Sequence, residues 1–155
     1  MLFRSGLVAP LSRGNVTINS SSALDPPVIQ PNWFGDAGDR EVAIAAFKRV
    51  RQIWSSISNI TIGPEFAPGA AVASDDQIFQ YIQQSSVTLY HASATCKMGQ
   101  ASDPNAVLDS QARVFGVQNL RVVDISSFPF ALPGHPQASV YMLAEKIASD
   151  ILGTH

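Results

Sequence analysis

A stretch in the first third of the chain repeats apolar residues at helical spacing. Asp39 is a good helix N-cap, and Glu41 follows where the first turn would favour a negative charge. The pattern predicts an amphipathic helix over residues 40–57. Basic residues fall largely on its other side, which we interpret as a solvated face rather than an anion-binding patch. The apolar positions are Val42, Ala45, Ala46, Val50, Ile53, Trp54 and Ile57, and the basic ones are Arg40, Lys48, Arg49 and Arg51.

Two further helices are predicted by capping and periodicity. Ser74 and Gln77 match the capping box, in which each side chain satisfies a backbone N–H of the other residue. This helix runs to about Ser85. The last helix runs from Ser139 to Leu152, with an apolar stripe of Val140, Leu143, Ala144, Ile147 and Ile151.

β-favouring residues occur in short runs between these helices. Residues 1–38, with Asn15–Ile18 at their centre, are interrupted by prolines and glycines and predict extended strands and turns. Val87–Tyr90 predicts a buried strand that leads directly into His91. Leu120–Asp124 is a run of mostly apolar residues and predicts a central strand buried on both sides. Together these elements predict an α+β fold.

The composition narrows the class of protein. Hydrophobic residues make up 46% of the 155 residues and charged residues 14%, against about 25% charged in an average soluble domain. The chain is therefore not a disordered charged tail, and its net charge of −2 gives no electrostatic footprint for nucleic acid. No stretch reaches the roughly 20 apolar residues of a membrane span. The low charge content indicates that part of the surface faces other protein.

Several site chemistries find no support in the motifs. The single cysteine, Cys96, excludes an intrachain disulfide and a Cys-rich zinc site. The chain has no GxSxG, HExxH or GxxxxGK[ST] motif. A metal site built from His91, His135, Asp124 and Asp109 matches no standard ligand spacing, so we expect no metal. Cys96 as a nucleophile is also disfavoured, since a small buried thiol is the commoner outcome.

Two histidines stand where a regular element is predicted to meet a loop. His91 precedes Ala-Ser-Ala-Thr, and His135 lies in Pro-Gly-His-Pro-Gln. Loops held at the ends of rigid elements often carry site residues, and the unperturbed pKa of imidazole suits proton transfer near neutral pH. A histidine is more often structural, so this placement alone predicts only candidates. The third histidine, His155, is the last residue, and we expect it to be frayed.

Several segments together resemble the glucose-methanol-choline (GMC) family of flavin oxidoreductases. His91-Ala-Ser-Ala-Thr-Cys-Lys-Met-Gly99 resembles the family's HPxGTCxMG segment. Leu120–Ser126 and Gly134–Lys146 resemble its C-terminal signature. The stretches Pro10–Ile18 and Asp25–Asn32 resemble the opening of its substrate domain. The resemblance covers nearly the whole chain and keeps the order of the family's motifs.

The resemblance implies a division of the chain. Residues 1–109 would belong to the substrate-binding region, with a sheet and covering helices. Residues 110–155 would return to the FAD-binding domain as its final strand and helix. That domain opens with GxGxxG, which holds the FAD pyrophosphate and which this chain lacks. We therefore expect a C-terminal portion whose partner is an N-terminal FAD-binding domain.

The resemblance also implies site residues. His91 matches the family's base, which takes the hydroxyl proton of a small alcohol while a hydride passes to the flavin. His135 matches the partner that hydrogen-bonds the substrate oxygen. Cofactor contacts are implied for two further pairs of residues, Asp124 with Ile125 and Pro136 with Gln137. Asp124 also fits a turn or N-cap residue, and Gln137 also fits the first turn of the closing helix.

The loop after His91 departs from the family pattern at two positions. Ala92 replaces a proline and Ala94 replaces a glycine. Ala94 is expected to be strained if its backbone needs a positive φ.

Two other functions stay open. The same fold also serves lyase or cyclase chemistry in which FAD is structural, and the chain could be a non-catalytic truncated remnant. The localisation is open too, because the Asn-x-Ser/Thr matches at Asn15, Asn19 and Asn59 are weak evidence for secretion. Residues 1–6 do not have the pattern of a signal peptide.

Overall fold

The computed structural model describes residues 5–153. The elements are strands β1 (Asn15–Thr17) and β2 (Val28–Gln30), then helices α1 (Ala37–Ser56), α2 (Asp75–Ser85) and α3 (Gln137–Leu152). The two strands form one two-stranded sheet. The predicted mixture of helices and strands is confirmed at this level. His155 and the first four residues of the 1–6 segment lie outside the described residues.

The chain divides into two compact units. One combines the segment up to Gly14 with Gln30–Leu89, and the other combines Asn15–Ile29 with the segment from Tyr90 onward. The predicted boundary between residues 109 and 110 refers to a longer protein and stays a prediction.

In the first unit, α1 and α2 pack through a mixed surface of rings and charges. Ile44 on α1 and Ile78 on α2 are buried, and the rings of Phe47 and Tyr81 meet edge to face, with centroids 6.0 Å apart. Two ion pairs join the helices, Arg40 with Asp76 and Lys48 with Asp75. The α2 capping box of Ser74 and Gln77 forms as predicted.

The start of α1 differs from its prediction. Asp36, not Asp39, is the N-cap and accepts a hydrogen bond from Gly38 N–H at 2.8 Å. Asp39 is buried and accepts the N–H groups of Leu11 and Ser12 at 2.7 and 2.8 Å, as well as the Ser12 hydroxyl. Burial alone would raise the pKa of Asp39, but these hydrogen bonds outweigh it and hold the pKa below its usual value.

The predicted apolar stripe of α1 does not coincide with the buried side of the helix. Ile44 is buried although it lies outside that stripe, while Val42 is 53% exposed. Arg40 faces α2, with its guanidinium group 4.7 Å from the ring centre of Phe79, while the Arg51 guanidinium lies 4.7 Å from the ring centre of Phe47 on α1 itself. Long basic side chains can cover apolar surface with their stems, so Arg40 and Arg51 are partly packed, whereas Lys48 and Arg49 are exposed as predicted.

In the second unit, isolated β-bridges surround a buried leucine. Leu108 is completely buried and bridges Met98 on one side and Val114 on the other. Arg113 in turn bridges Arg121. Later in this unit, the predicted stripe of α3 is confirmed from Val140 to Ile147, which is buried, but Ile151 at its end is exposed.

Two predicted strands do not form. Val87–Tyr90 forms no strand, and Val87 and Tyr90 are 74% and 89% exposed. In Leu120–Asp124 only Arg121 forms a bridge, and Leu120 is 48% exposed. Side chains that favour strands give a strand only where neighbouring strands and burial accompany them, and the described residues provide too little of either.

Candidate active site

The two predicted site histidines contact each other. His135 Nδ1 lies 3.3 Å from His91 Nε2, and the ring centroids are 5.1 Å apart with the planes at 88°. His91 is half-buried and His135 is exposed, so neither ring is enclosed by packed side chains. The fold thus joins two residues that are 44 positions apart in the chain. Their catalytic roles stay a prediction.

The loop after His91 is anchored through its backbone. The N–H groups of alternate loop residues donate to three successive carbonyls of the 3₁₀ turn Ile125–Ser127. These bonds run from Ala94 to Ile125 (3.4 Å), from Cys96 to Ser126 (2.9 Å) and from Met98 to Ser127 (2.8 Å). Their geometry holds the loop without relying on the chemistry of its side chains.

Two of the predicted cofactor contacts belong to this turn. Asp124 is its N-cap and accepts the Ser126 N–H at 2.7 Å, which is the structural role the sequence left open. Ile125 is half-buried and supplies the carbonyl that receives Ala94. The buried Ser127 donates its hydroxyl to the Asp124 carbonyl at 2.6 Å and so closes the turn.

The other two predicted contacts open α3. Pro136 is buried and is the N-cap, and Gln137 is exposed as the first helical residue. No side chain caps this end of the helix. Its backbone N–H groups give the helix start a partial positive charge beside His135.

The loop beyond Cys96 is held by an ion pair. Lys97 Nζ lies 2.7 Å from Asp103 Oδ2. This hydrogen bond, and a second one from the Asn105 N–H, hold the pKa of Asp103 below its usual value. The Asp103 carboxylate thus links the Lys97 side chain to the backbone at Asn105.

The two disfavoured chemistries gain no geometric support. In residues 5–153, no three His, Cys, Asp or Glu side chains lie close enough together to hold a metal ion. Asp109 instead accepts two backbone N–H groups, from Gln111 and Arg113, and pairs with the Arg113 side chain. Cys96 is a free, half-buried thiol.

Three residues close to the two histidines have a positive φ angle. Ala94 has a φ of 68°, so the expectation of strain at this alanine is confirmed. Tyr90 also has a positive φ, 60°, and Gly134 has a φ of 93°. The Pro-Gly pair signals a turn at Gly134, but no sequence pattern points to Tyr90.

The pair of imidazoles can exchange a proton with a third group. A hydrogen bond between two ring nitrogens at 3.3 Å needs a lone pair on one of them and an N–H on the other, and the tautomers of the two rings set which is which. A hydroxyl oxygen has no room on the line between these nitrogens, but one that lies beside the pair could lose its proton to one ring and accept a hydrogen bond from the other. The arrangement therefore suits proton abstraction from an alcohol.

Comparison with known proteins places this chain in a family of oxidoreductases. The family model of GMC oxidoreductases matches residues 10–144. A dehydrogenase of Emericella nidulans, pkfF, is 56% identical over 142 residues, which are 92% of this chain and 23% of that protein. Patulin synthase of Penicillium expansum is 55% identical over 149 residues, covering 95% of this chain and 24% of that protein.

A solved structure of an FAD-dependent oxidoreductase also matches the fold of this chain. An FAD-dependent oxidoreductase from Chaetomium thermophilum matches with a TM-score of 0.84 and 37% identity, over 93% of this chain and 25% of that one. This chain belongs to the GMC oxidoreductase family. It spans about a quarter of the length of the relatives it matches.

Family membership implies FAD, and the residues present fit one end of that cofactor. The uncapped start of α3 offers N–H donors, and a side chain at Gly134 would meet nothing within 4 Å, which leaves open space beside His135. Such donors suit the electron-rich edge of a flavin ring. The pyrophosphate, in contrast, finds no glycine-rich GxGxxG loop in this chain.

Proposed function

We propose that this chain is the C-terminal part of an FAD-dependent oxidoreductase that oxidises CH–OH groups of small-molecule alcohols. The observation that carries the proposal is the 3.3 Å contact between His91 Nε2 and His135 Nδ1. Family membership, with similarity to a dehydrogenase, supports the reaction class. An N-terminal FAD-binding domain is the required partner.

His91 acts as the base and His135 as its hydrogen-bonding partner. The His91 lone pair takes the hydroxyl proton, while an N–H of His135 holds the same oxygen in place. Without proton removal the carbon would become a cationic carbonyl as it loses its hydride, so a positioned base is typically worth about 10²–10⁴ in rate. FAD supplies the acceptor for that hydride.

The proposal also assigns four residues to the cofactor and each part of the chain to a domain. Asp124 and Ile125 would hold the cofactor through their backbone, and Pro136 and Gln137 at the start of α3 would hold its flavin ring. Residues 1–109 form the substrate-binding sheet and its covering helices. Residues 110–155 supply the final strand and helix of the FAD-binding domain, so Leu120–Asp124 gains its neighbouring strands from that domain.

The test is a chimera in which this chain replaces the matching residues of the Emericella nidulans dehydrogenase. With FAD bound, a panel of primary, secondary and aromatic alcohols should bleach the flavin absorbance under anaerobic conditions. His91→Ala should slow bleaching by about 10²–10⁴. His135→Ala should slow it less, because a hydrogen-bond partner is lost but the base remains. Glu41→Gln, at an exposed position on α1, is the control.

Each alternative has its own signature in this experiment. Bound FAD without bleaching by any alcohol contradicts the proposal. Product formation that is indifferent to the flavin redox state would identify a lyase or cyclase. A chimera that folds but binds no FAD would identify a non-catalytic remnant.

A further inference from the structure

Each of the two histidines follows a residue with left-handed backbone. Tyr90 precedes His91 with a φ of 60°, and Gly134 precedes His135 with a φ of 93°. Glycine adopts this conformation at no steric cost, whereas a tyrosine does not. The same backbone feature is therefore free of strain before one histidine and strained before the other.

Burial of the Tyr90 ring does not account for this strain. The side chain is 89% exposed in the chain, so little apolar surface is removed from water in return. Strained residues persist where the surrounding structure over-determines the backbone. Here the following loop is anchored by the N–H groups of Ala94, Cys96 and Met98 on the 125–127 turn.

The direction of each imidazole depends on the preceding residue. The φ angle of residue 90 sets the direction in which the chain enters His91, and residue 134 does the same for His135. A change of either angle would rotate the Cα–Cβ bond of the following histidine. The 3.3 Å contact between the rings then could not persist without compensating shifts.

We propose that Tyr90 and Gly134 are positioning residues whose left-handed backbone aims the two imidazoles at each other. At position 90 it is the backbone conformation that sets the direction of His91. This inference rests on the proposed function, because it concerns the orientation of the same pair.

The test compares variants of Tyr90 in the chimera described above. Tyr90→Gly and Tyr90→Asn remove the ring but tolerate a positive φ, whereas Tyr90→Val removes the ring and disfavours that φ. Asparagine and valine are similar in size, so they form a matched pair. Tyr90→Phe tests the hydroxyl group separately.

We expect only the Tyr90→Val variant to lose the contact between the two imidazole rings. Tyr90→Val should lower kcat by about 10²-fold, the cost of misplacing a reacting group by about 1 Å, with KM little changed. The glycine, asparagine and phenylalanine variants should keep most of the activity. FAD content and the urea unfolding midpoint serve as controls for folding.

A second measurement does not depend on activity. With isotope-labelled histidine, His135→Ala should shift the ring resonances of His91, because the rings are in contact. The same substitution should cause a much smaller shift in the Tyr90→Val background, and an unchanged shift in the Tyr90→Asn background.

Substitution of Gly134 provides an independent test of the inference. A Cβ at this position meets nothing within 4 Å in the chain, but the φ of 93° disfavours any L side chain. Gly134→Ala should therefore reduce the same ring-contact shift through backbone strain rather than through a clash within the chain. It should also lower kcat in the same direction as Tyr90→Val.

Equal kcat and equal resonance shifts in the valine and asparagine variants would overturn the inference. So would a loss in the glycine variant as large as in the valine variant, since the ring would then matter. An unchanged rate in His91→Ala would instead contradict the proposed function, so the two failures are distinguishable.

Discussion

The α1–α2 pair and the loops that carry the histidines are held by different interactions. In α1 and α2, side chains dominate: Ile78 is buried, and ion pairs such as Lys48 with Asp75 link the helices. In the loops, backbone groups dominate, as in the bond from Cys96 N–H to the Ser126 carbonyl. Side-chain periodicity therefore indicates helices in a sequence, whereas a site held by backbone hydrogen bonds leaves little side-chain pattern.

The largest expected effects come from the buried residue at the centre of each region. Ile78→Ala and Leu108→Ala should each lower the free energy of unfolding by about 2–5 kcal/mol, through lost burial and the cavity left behind. Urea unfolding measures this effect, and Val87→Ala at an exposed position is the control.

Amide hydrogen exchange measures the stability of the two regions separately. Ile78→Ala should speed amide exchange mainly in α1 and α2. Leu108→Ala should speed it mainly at the loop bonds that begin at Cys96 and Met98. If either variant accelerates exchange uniformly through the chain, the distinction between the two regions does not describe its stability.

An intermediate effect is expected at Asp39, where the first region does depend on backbone donors. Asp39→Asn should cost roughly 1–3 kcal/mol, because a buried charged acceptor of several hydrogen bonds is lost. Urea unfolding at neutral pH measures this cost. Glu41→Gln, an exposed position in the same helix, is the control.

The pH dependence of that difference follows from the lowered pKa of Asp39. The folded pKa lies below the reference value of 3.8, so the stabilisation is complete above pH 3.8 and is lost as the pH falls through the folded pKa. The gap between the original protein and Asp39→Asn should therefore narrow in acid. A gap that widens below pH 3.8 would contradict the assignment.

The smallest effect concerns the strained loop. Ala94→Gly should stabilise the chain by about 0.5–1 kcal/mol, since it removes a left-handed penalty of about 1–2 kcal/mol and adds chain entropy to the unfolded state. Ala92→Gly, at a position without a positive φ, should destabilise it by about 0.4–1 kcal/mol. Effects of the same sign in both variants would show that backbone strain at Ala94 is not stored.

Sequence reasoning located the helices and selected the histidines, but it misjudged several neighbours. The capping box at Ser74 was readable because its two side chains lie three residues apart in sequence. The N-cap of α1 was misplaced because Asp39 forms its bonds with Leu11 and Ser12, far away in the chain. Val87–Tyr90 was misread as a strand because residue preference cannot report whether a neighbouring strand exists.

Local patterns in the sequence therefore predicted three helices, an α+β composition and two histidines as candidates for proton transfer. Three features appear only in the folded chain. They are the contact between His91 and His135, the burial of Asp39, and the positive φ angles of Tyr90 and Ala94. The reason is physical: capping and periodicity act over a few residues, while these features arise from backbone groups that meet only after the chain has folded.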